Sequence, residues 1–108
     1  MTTGTFATAV VATCLYLRRR PGAADAIYLK FLKTIEREAW DDRNFVRKAV
    51  NWALRNIGKR NLRLNRAAIS SAERIRRQDT RAARWIAADA LRELRSEAVQ
   101  RRLRRKAA

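Results

Sequence analysis

Apolar residues recur along the chain in blocks separated by short polar breaks, and the spacing within the blocks is helical. The first block, residues 5–17, is a continuous apolar run of thirteen residues, TFATAVVATCLYL. It is too short to span a bilayer easily, and Arg18, Arg19 and Arg20 follow it, whereas a secretory signal carries its cations in front. It is read as a buried helix, closed by Pro21 and Gly22. In the second block, 26–39, Ile27, Phe31, Leu32 and Ile35 recur on one side, with Lys30, Lys33, Arg37 and Glu38 elsewhere on the surface. Asp25 is its expected cap, and Trp40 is expected to cover the end of the core.

The most informative segment is 41–61, DDRNFVRKAVNWALRNIGKRN. Asp41, Asp42 and Asn44 precede Phe45, where side-chain oxygens can accept the unpaired N–H groups of a first helical turn, and Gly58 suits the helix end. At about 100° per residue, Val46, Ala49, Val50, Ala53 and Ile57 make one apolar stripe, while Lys48, Arg55 and Lys59 share another flank with Trp52 at its edge. Trp52 is therefore either part of a wide core stripe or a contact residue beside phosphate-binding cations.

Lys59, Arg60 and Asn61 form a basic connection to a further helix over about 62–77, with Leu64, Ala68, Ala72 and Ile75 inward and Arg63, Arg66, Arg74 and Arg76 outward. Gln78, Asp79 and Thr80 break the pattern and cap the next helix. There Ala83, Ile86, Ala87, Ala90 and Leu94 form the core stripe, and Trp85 projects away from it between Arg81 and Arg92. Ser96 and Glu97 open a last short helix with Ala98, Val99 and Leu103, which runs into Arg101, Arg102, Arg104, Arg105 and Lys106, either a backbone-binding arm or a frayed end. KAVNW at 48–52 and RAARW at 81–85 place a cation four positions before each tryptophan, with 33 positions from Trp52 to Trp85. That interval suits stacked helix pairs. The expected architecture is one all-α domain over 1–108, about six helices, with a basic tail from about residue 100. Stacked as a short α-solenoid, the tryptophan helices would line a concave face; a compact six-helix bundle fits the same periodicity.

Charge sharpens this picture. The chain carries 26 Lys and Arg against 10 Asp and Glu, a net charge of +16. Residues 1–60 hold 12 cations and 5 acids, and residues 61–108 hold 14 and 5, so the excess belongs to the whole fold and not only to its tail. Such a field favours a polyanion, nucleic acid first, over an acidic membrane or protein surface or a merely solvated face. No wide apolar face accompanies the basic one outside the first helix, which argues against a membrane partner. One cysteine, Cys14, and no histidine exclude a disulfide framework, structural zinc sites and histidine-based triads, and favour a reducing, cytoplasmic compartment. No metal or cofactor is expected.

The run DDRNFVRKAVNWALRNIGKRN, with its DxxFVxKAVxWALR pattern, and ARWIAADALREL at 83–94 resemble the C-terminal half of the DNA alkylation repair enzymes, the AlkD-like alkylpurine DNA glycosylases. The resemblance covers roughly residues 4–105. It implies a HEAT-like helical repeat that holds duplex DNA in a basic concave groove, close to the nucleoid, and cleaves the glycosidic bond of N3- or N7-alkylated purines without metal. Trp52 matches the family's C-terminal active-site tryptophan, which contacts the lesion, and Arg55 matches a DNA-contacting arginine. The family's upstream catalytic aspartate has no counterpart, so the resemblance implies a DNA-binding module without complete catalytic machinery. The alternative is an active glycosylase in which Asp89 supplies the acid. The expected nucleic-acid-binding residues are Lys48, Asn51, Trp52, Arg55, Lys59, Arg60, Arg81, Arg84, Trp85 and Arg92. Without upstream repeats, the apolar segment 5–17 is expected to meet a second copy or a companion fragment.

Overall fold

A computed structural model describes residues 24–107. Within them the protein is all-α, with helices α1 (Asp25–Glu38), α2 (Asn44–Gly58), α3 (Leu62–Arg76), α4 (Arg81–Leu94) and α5 (Glu97–Ala107). The expected helix over 5–17, and with it Cys14 and the expected self-association surface, lies outside the described residues. No helix among those described is long and apolar enough to cross a membrane.

The helices form where the periodic apolar stripes predict them. Val46, Val50, Ala53 and Ile57 of α2, Leu64, Ala68, Ala72 and Ile75 of α3, and Ala83, Ile86, Ala87, Ala90 and Leu94 of α4 are all buried in one core. In α1 the stripe is displaced. Tyr28, Leu32, Ile35 and Ala39 are buried, while Ile27 is 40% exposed. The phenol ring is buried, and the Arg60 guanidinium covers it at 4.3 Å from the ring centroid. Glu38, expected at the surface, is buried, and that burial pushes its carboxyl above the ordinary range. Trp40 does not close the core; it stands 51% exposed.

The helix ends differ from the expected caps in an informative way. Ala24 and Arg43 precede α1 and α2 without side-chain capping bonds, so neither Asp25 nor the Asp41–Asp42 pair caps the helix that follows it. Asp41 is buried and takes the Arg43 backbone N–H at 2.9 Å and its guanidinium at 2.7 Å, bonds that hold its carboxyl below the ordinary range. Asp42 reaches across the fold and accepts the Ala82 N–H at 2.7 Å, in the first turn of α4. Thr80 accepts Ala83 N–H of the same turn at 3.1 Å, and Asn61 caps α3 through Leu64 N–H at 2.8 Å. Asp79 lies in the left-handed region at φ 57°, where aspartate is tolerated better than most residues.

Each helix packs on the next and the next but one: α1 on α2 and α3, α2 on α3 and α4, α3 on α4 and α5, and α4 on α5. Asn44 to Arg81 and Asp25 to Leu62 are both 37 positions, so the helix pair recurs at that interval and not at the 33 separating the tryptophans. Trp52 and Trp85 consequently sit about one turn apart in their helices. Helices one pair apart run parallel. Asp25 meets Asn61 near the starts of α1 and α3, and Glu36 meets Ser71 and Arg74 near their ends. The terminal segment is no frayed tail: α5 continues to Ala107, seated by Val99 and Leu103.

Gly58 belongs to α2 and has no left-handed backbone. Its absent side chain serves packing instead, since a Cβ there would stand 2.6 Å from Leu94 Cδ2 and 3.0 Å from Ala68 Cβ. Overpacking of this kind costs about 1–3 kcal/mol, against a helix-propensity gain of up to about 1 kcal/mol for alanine. Gly58→Ala is therefore expected to destabilise the fold by about 1 kcal/mol in chemical denaturation. In a Leu94→Ala background the same substitution should become neutral or stabilising. A penalty independent of Leu94 would show that contact not to be its cause.

Candidate nucleic-acid interface

Helices α2 and α4 lie parallel, and a polar seam runs between them. Arg47 and Trp85, Asn51 and Asp89, and Arg55 and Glu93 form successive pairs, each joining residues 38 positions apart. Within each helix these residues are spaced by four, so they share one flank. The Arg47 guanidinium stacks over the Trp85 ring at 4.5 Å from its centroid and donates to Asn44 Oδ1 at 2.6 Å. Asn51 Nδ2 donates to Asp89 at 2.8 Å. Glu93 then receives both Arg55 at 3.0 Å and Lys59 Nζ at 2.8 Å.

This seam decides what each expected contact residue can offer. Asn51 was expected at the interface but is buried at 3% exposure, with its Nδ2 committed to the Asp89 carboxylate inside the seam. Trp52 is half-buried and packs against the core, while its carbonyl accepts from Asn56 Nδ2 at 2.8 Å. Arg55 and Lys59 are partly exposed but hold Glu93. Arg60 is half-buried over Tyr28. Arg84 is exposed and pairs with Asp79 at 2.6 Å. Lys48, Arg81 and Arg92 are exposed, with Arg92 at 3.5 Å from Asp89. Trp85, at 38% exposure, projects from the core as expected.

Asp89, the one acid considered for chemistry, is thus not a free carboxylate. One oxygen takes the Asn51 amide and lies 3.7 Å from Arg55 Nε, too long for a hydrogen bond but close enough for an ion pair; the other faces Arg92. Glu93 lies below the ordinary carboxylate range chiefly because Lys59 donates to it; burial opposes this, and the Arg55 hydrogen bond and the charges of both cations lower it further. Arg47 was missed from the sequence, since no local pattern marks an arginine whose partner is a tryptophan in another helix. The face built here offers outward cations, a partly exposed indole and acids already balanced by internal cations. Chemically it can receive phosphates and an aromatic surface.

The Glu93 linkage has a defined sign. Its folded pKa is depressed, so its contribution is complete above its unfolded value near about 4.3 and is lost as pH falls through the folded value. Wild type should exceed Glu93→Gln in stability at neutral pH, and the two should converge as pH falls below the unfolded value. Denaturation midpoints across that range measure it; a gap that stays constant would mean that the ion pairs contribute nothing.

The family model described as DNA alkylation repair enzyme matches residues 6–101. No curated protein and no solved structure gives a significant match. With nearly its whole length matched, and with the all-helical fold described above, the chain belongs to the DNA alkylation repair enzyme family.

Proposed function

We propose that this chain is a duplex-DNA-binding helical repeat of the HEAT-like kind, which holds DNA on the outward faces of α2 and α4. Packing limited to the next helix and the next but one, together with the 37-position recurrence, supports a short solenoid. The observation that carries the DNA reading is the row of exposed Lys48, Arg81 and Arg92 beside the Arg47-stacked Trp85 on two parallel helices. Phosphates attract such cations at any sequence, and an indole adds a stacking or sugar-facing surface. Membership of a DNA repair family supports the same partner.

Binding without excision is the reading the acids favour. Glycosidic cleavage of an alkylated purine needs a carboxylate or an oriented water beside the lesion sugar. Both acids of this face, Asp89 and Glu93, are engaged by Asn51, Arg55, Lys59 and Arg92. Trp52 contacts the DNA only through the exposed part of its ring.

Two measurements test this. In fluorescence anisotropy with a labelled duplex, Lys48→Gln/Arg81→Gln/Arg92→Gln should lower the slope of log affinity against log salt by about 2–3. Lys30→Gln/Lys33→Gln/Arg77→Gln, an equal charge change away from this face, should lower it by less than about 1. Equal losses would mean diffuse charge binding with no preferred face. On methylated duplex, under conditions where binding is confirmed, no alkylated purine should be released; release would establish a working site and end the binding-only reading.

A further inference from the structure

Helix α5 departs from the parallel order of the other helices. Gln100, near its start, donates to Leu94 O at 2.7 Å and to Asn65 Oδ1 at 3.1 Å. Lys106, near its end, donates to Arg60 O at 3.0 Å. Contacts that advance along α5 thus run backwards past the start of α3, so α5 folds back across the end of the stack toward the turn between α2 and α3. Val99 and Leu103 fix its inward side.

Its outward side carries Arg101, Arg102, Arg104, Arg105 and Lys106 against the single acid Glu97. Glu97 receives Arg101 at 3.3 Å and Arg104 at 3.6 Å. Arg102 and Arg105 are exposed and enter none of the ion pairs among the described residues. Cations in a last turn complement the helix dipole, but that effect does not call for this arrangement. Arg101 and Arg104, Arg101 and Arg105, Arg102 and Arg105, and Arg102 and Lys106 are like charges three or four positions apart, and each such pair destabilises an isolated helix. A helix docked on its apolar side and self-repelling on the other is relieved by an anion with several closely spaced charges.

We infer that α5 is a second phosphate-backbone contact, gripping the same duplex beyond the α2–α4 face. Lys106 donates to Arg60 O just past the C-terminal end of α2, so α5 lies beside the end of that helix. The inference rests on the duplex-DNA reading, and it assigns Arg102 and Arg105 as the phosphate-binding side chains.

The test uses the full chain in the same anisotropy titration. Arg102→Gln/Arg105→Gln should lower the salt slope by about 1.8, corresponding to two lost contacts, and weaken binding at least tenfold near physiological salt. The control Lys30→Gln/Lys33→Gln removes the same charge from α1 and should change the slope by less than about half that amount. Arg102→Lys/Arg105→Lys keeps the charge and should bind as wild type does. Unchanged helicity by circular dichroism establishes that α5 stays folded, and glutamine relieves repulsion without breaking a helix. An α5 loss no larger than that of the control overturns the inference. If only the Lys48/Arg81/Arg92 set then exceeds its control, the proposed face stands without α5. A loss confined to α5 removes the α2–α4 face and overturns α5 as the second of two contacts, losses above the controls in both sets uphold the inference, and losses equal to the controls in both sets remove both.

Discussion

The relative placement of α2, α4 and α5 depends on one buried amide. Asn65, on the second turn of α3, donates from Nδ2 to Gly58 O at 3.0 Å and Leu94 O at 3.2 Å, and its Oδ1 accepts from Gln100. Both carbonyls belong to the last residues of their helices, where no intrahelical donor remains. A buried carbonyl left without a donor costs about 1–3 kcal/mol, so Asn65 secures the end of α2 and, with Gln100, which also donates to Leu94 O, the end of α4. The amide can span them only because Gly58 lacks a Cβ and lets Leu94 approach. Securing those ends is consistent with the seam above, where Arg47 meets Trp85 and Arg55 meets Glu93.

The fold was legible in the sequence wherever aliphatic residues alone set the stripe. The cores of α2, α3 and α4 are of that kind, and only Ala49 of their predicted positions stays partly exposed. In α1 an amphipathic side chain intervened. Tyr28 is buried in the core with a distant guanidinium over its ring, and nothing within the helix announces this. Caps were less legible for a related reason. Asp42 has the composition and position of a local cap, yet its acceptor oxygen serves an N–H forty positions away. Gly58 was read as a helix stop from backbone freedom, whereas its reason is a neighbour's side chain.

The candidate site was legible as a set of cations but not as an arrangement of them. Lys48, Arg81, Arg92 and Trp85 face outward, as their angular positions predicted. Asn51 and Trp52 lean inward, and Arg55 and Lys59 spend much of their charge on Glu93. Which cations are spent in this way depends on the register between parallel helices. A chain with 26 cations and 10 acids offers too many combinations for spacing within one helix to select among them. Arg47 was not legible because the ring it covers belongs to another helix.

Packing restricted to near neighbours also shapes how the molecule breathes. Helix α1 touches α2 and α3 but not α4, and α5 touches α3 and α4 but not α2, so either end can detach while the central three helices keep their mutual contacts. Amide protons should therefore exchange in a graded sequence, soonest in the terminal helices through partial openings and last in α3, which every other described helix contacts. Asp42 works against that gradation, since its carboxylate ties the turn leaving α1 to the first turn of α4 and couples the opening of one to the other. A terminal helix whose opening breaks contacts only with its two neighbours can move while the central frame keeps its own packing.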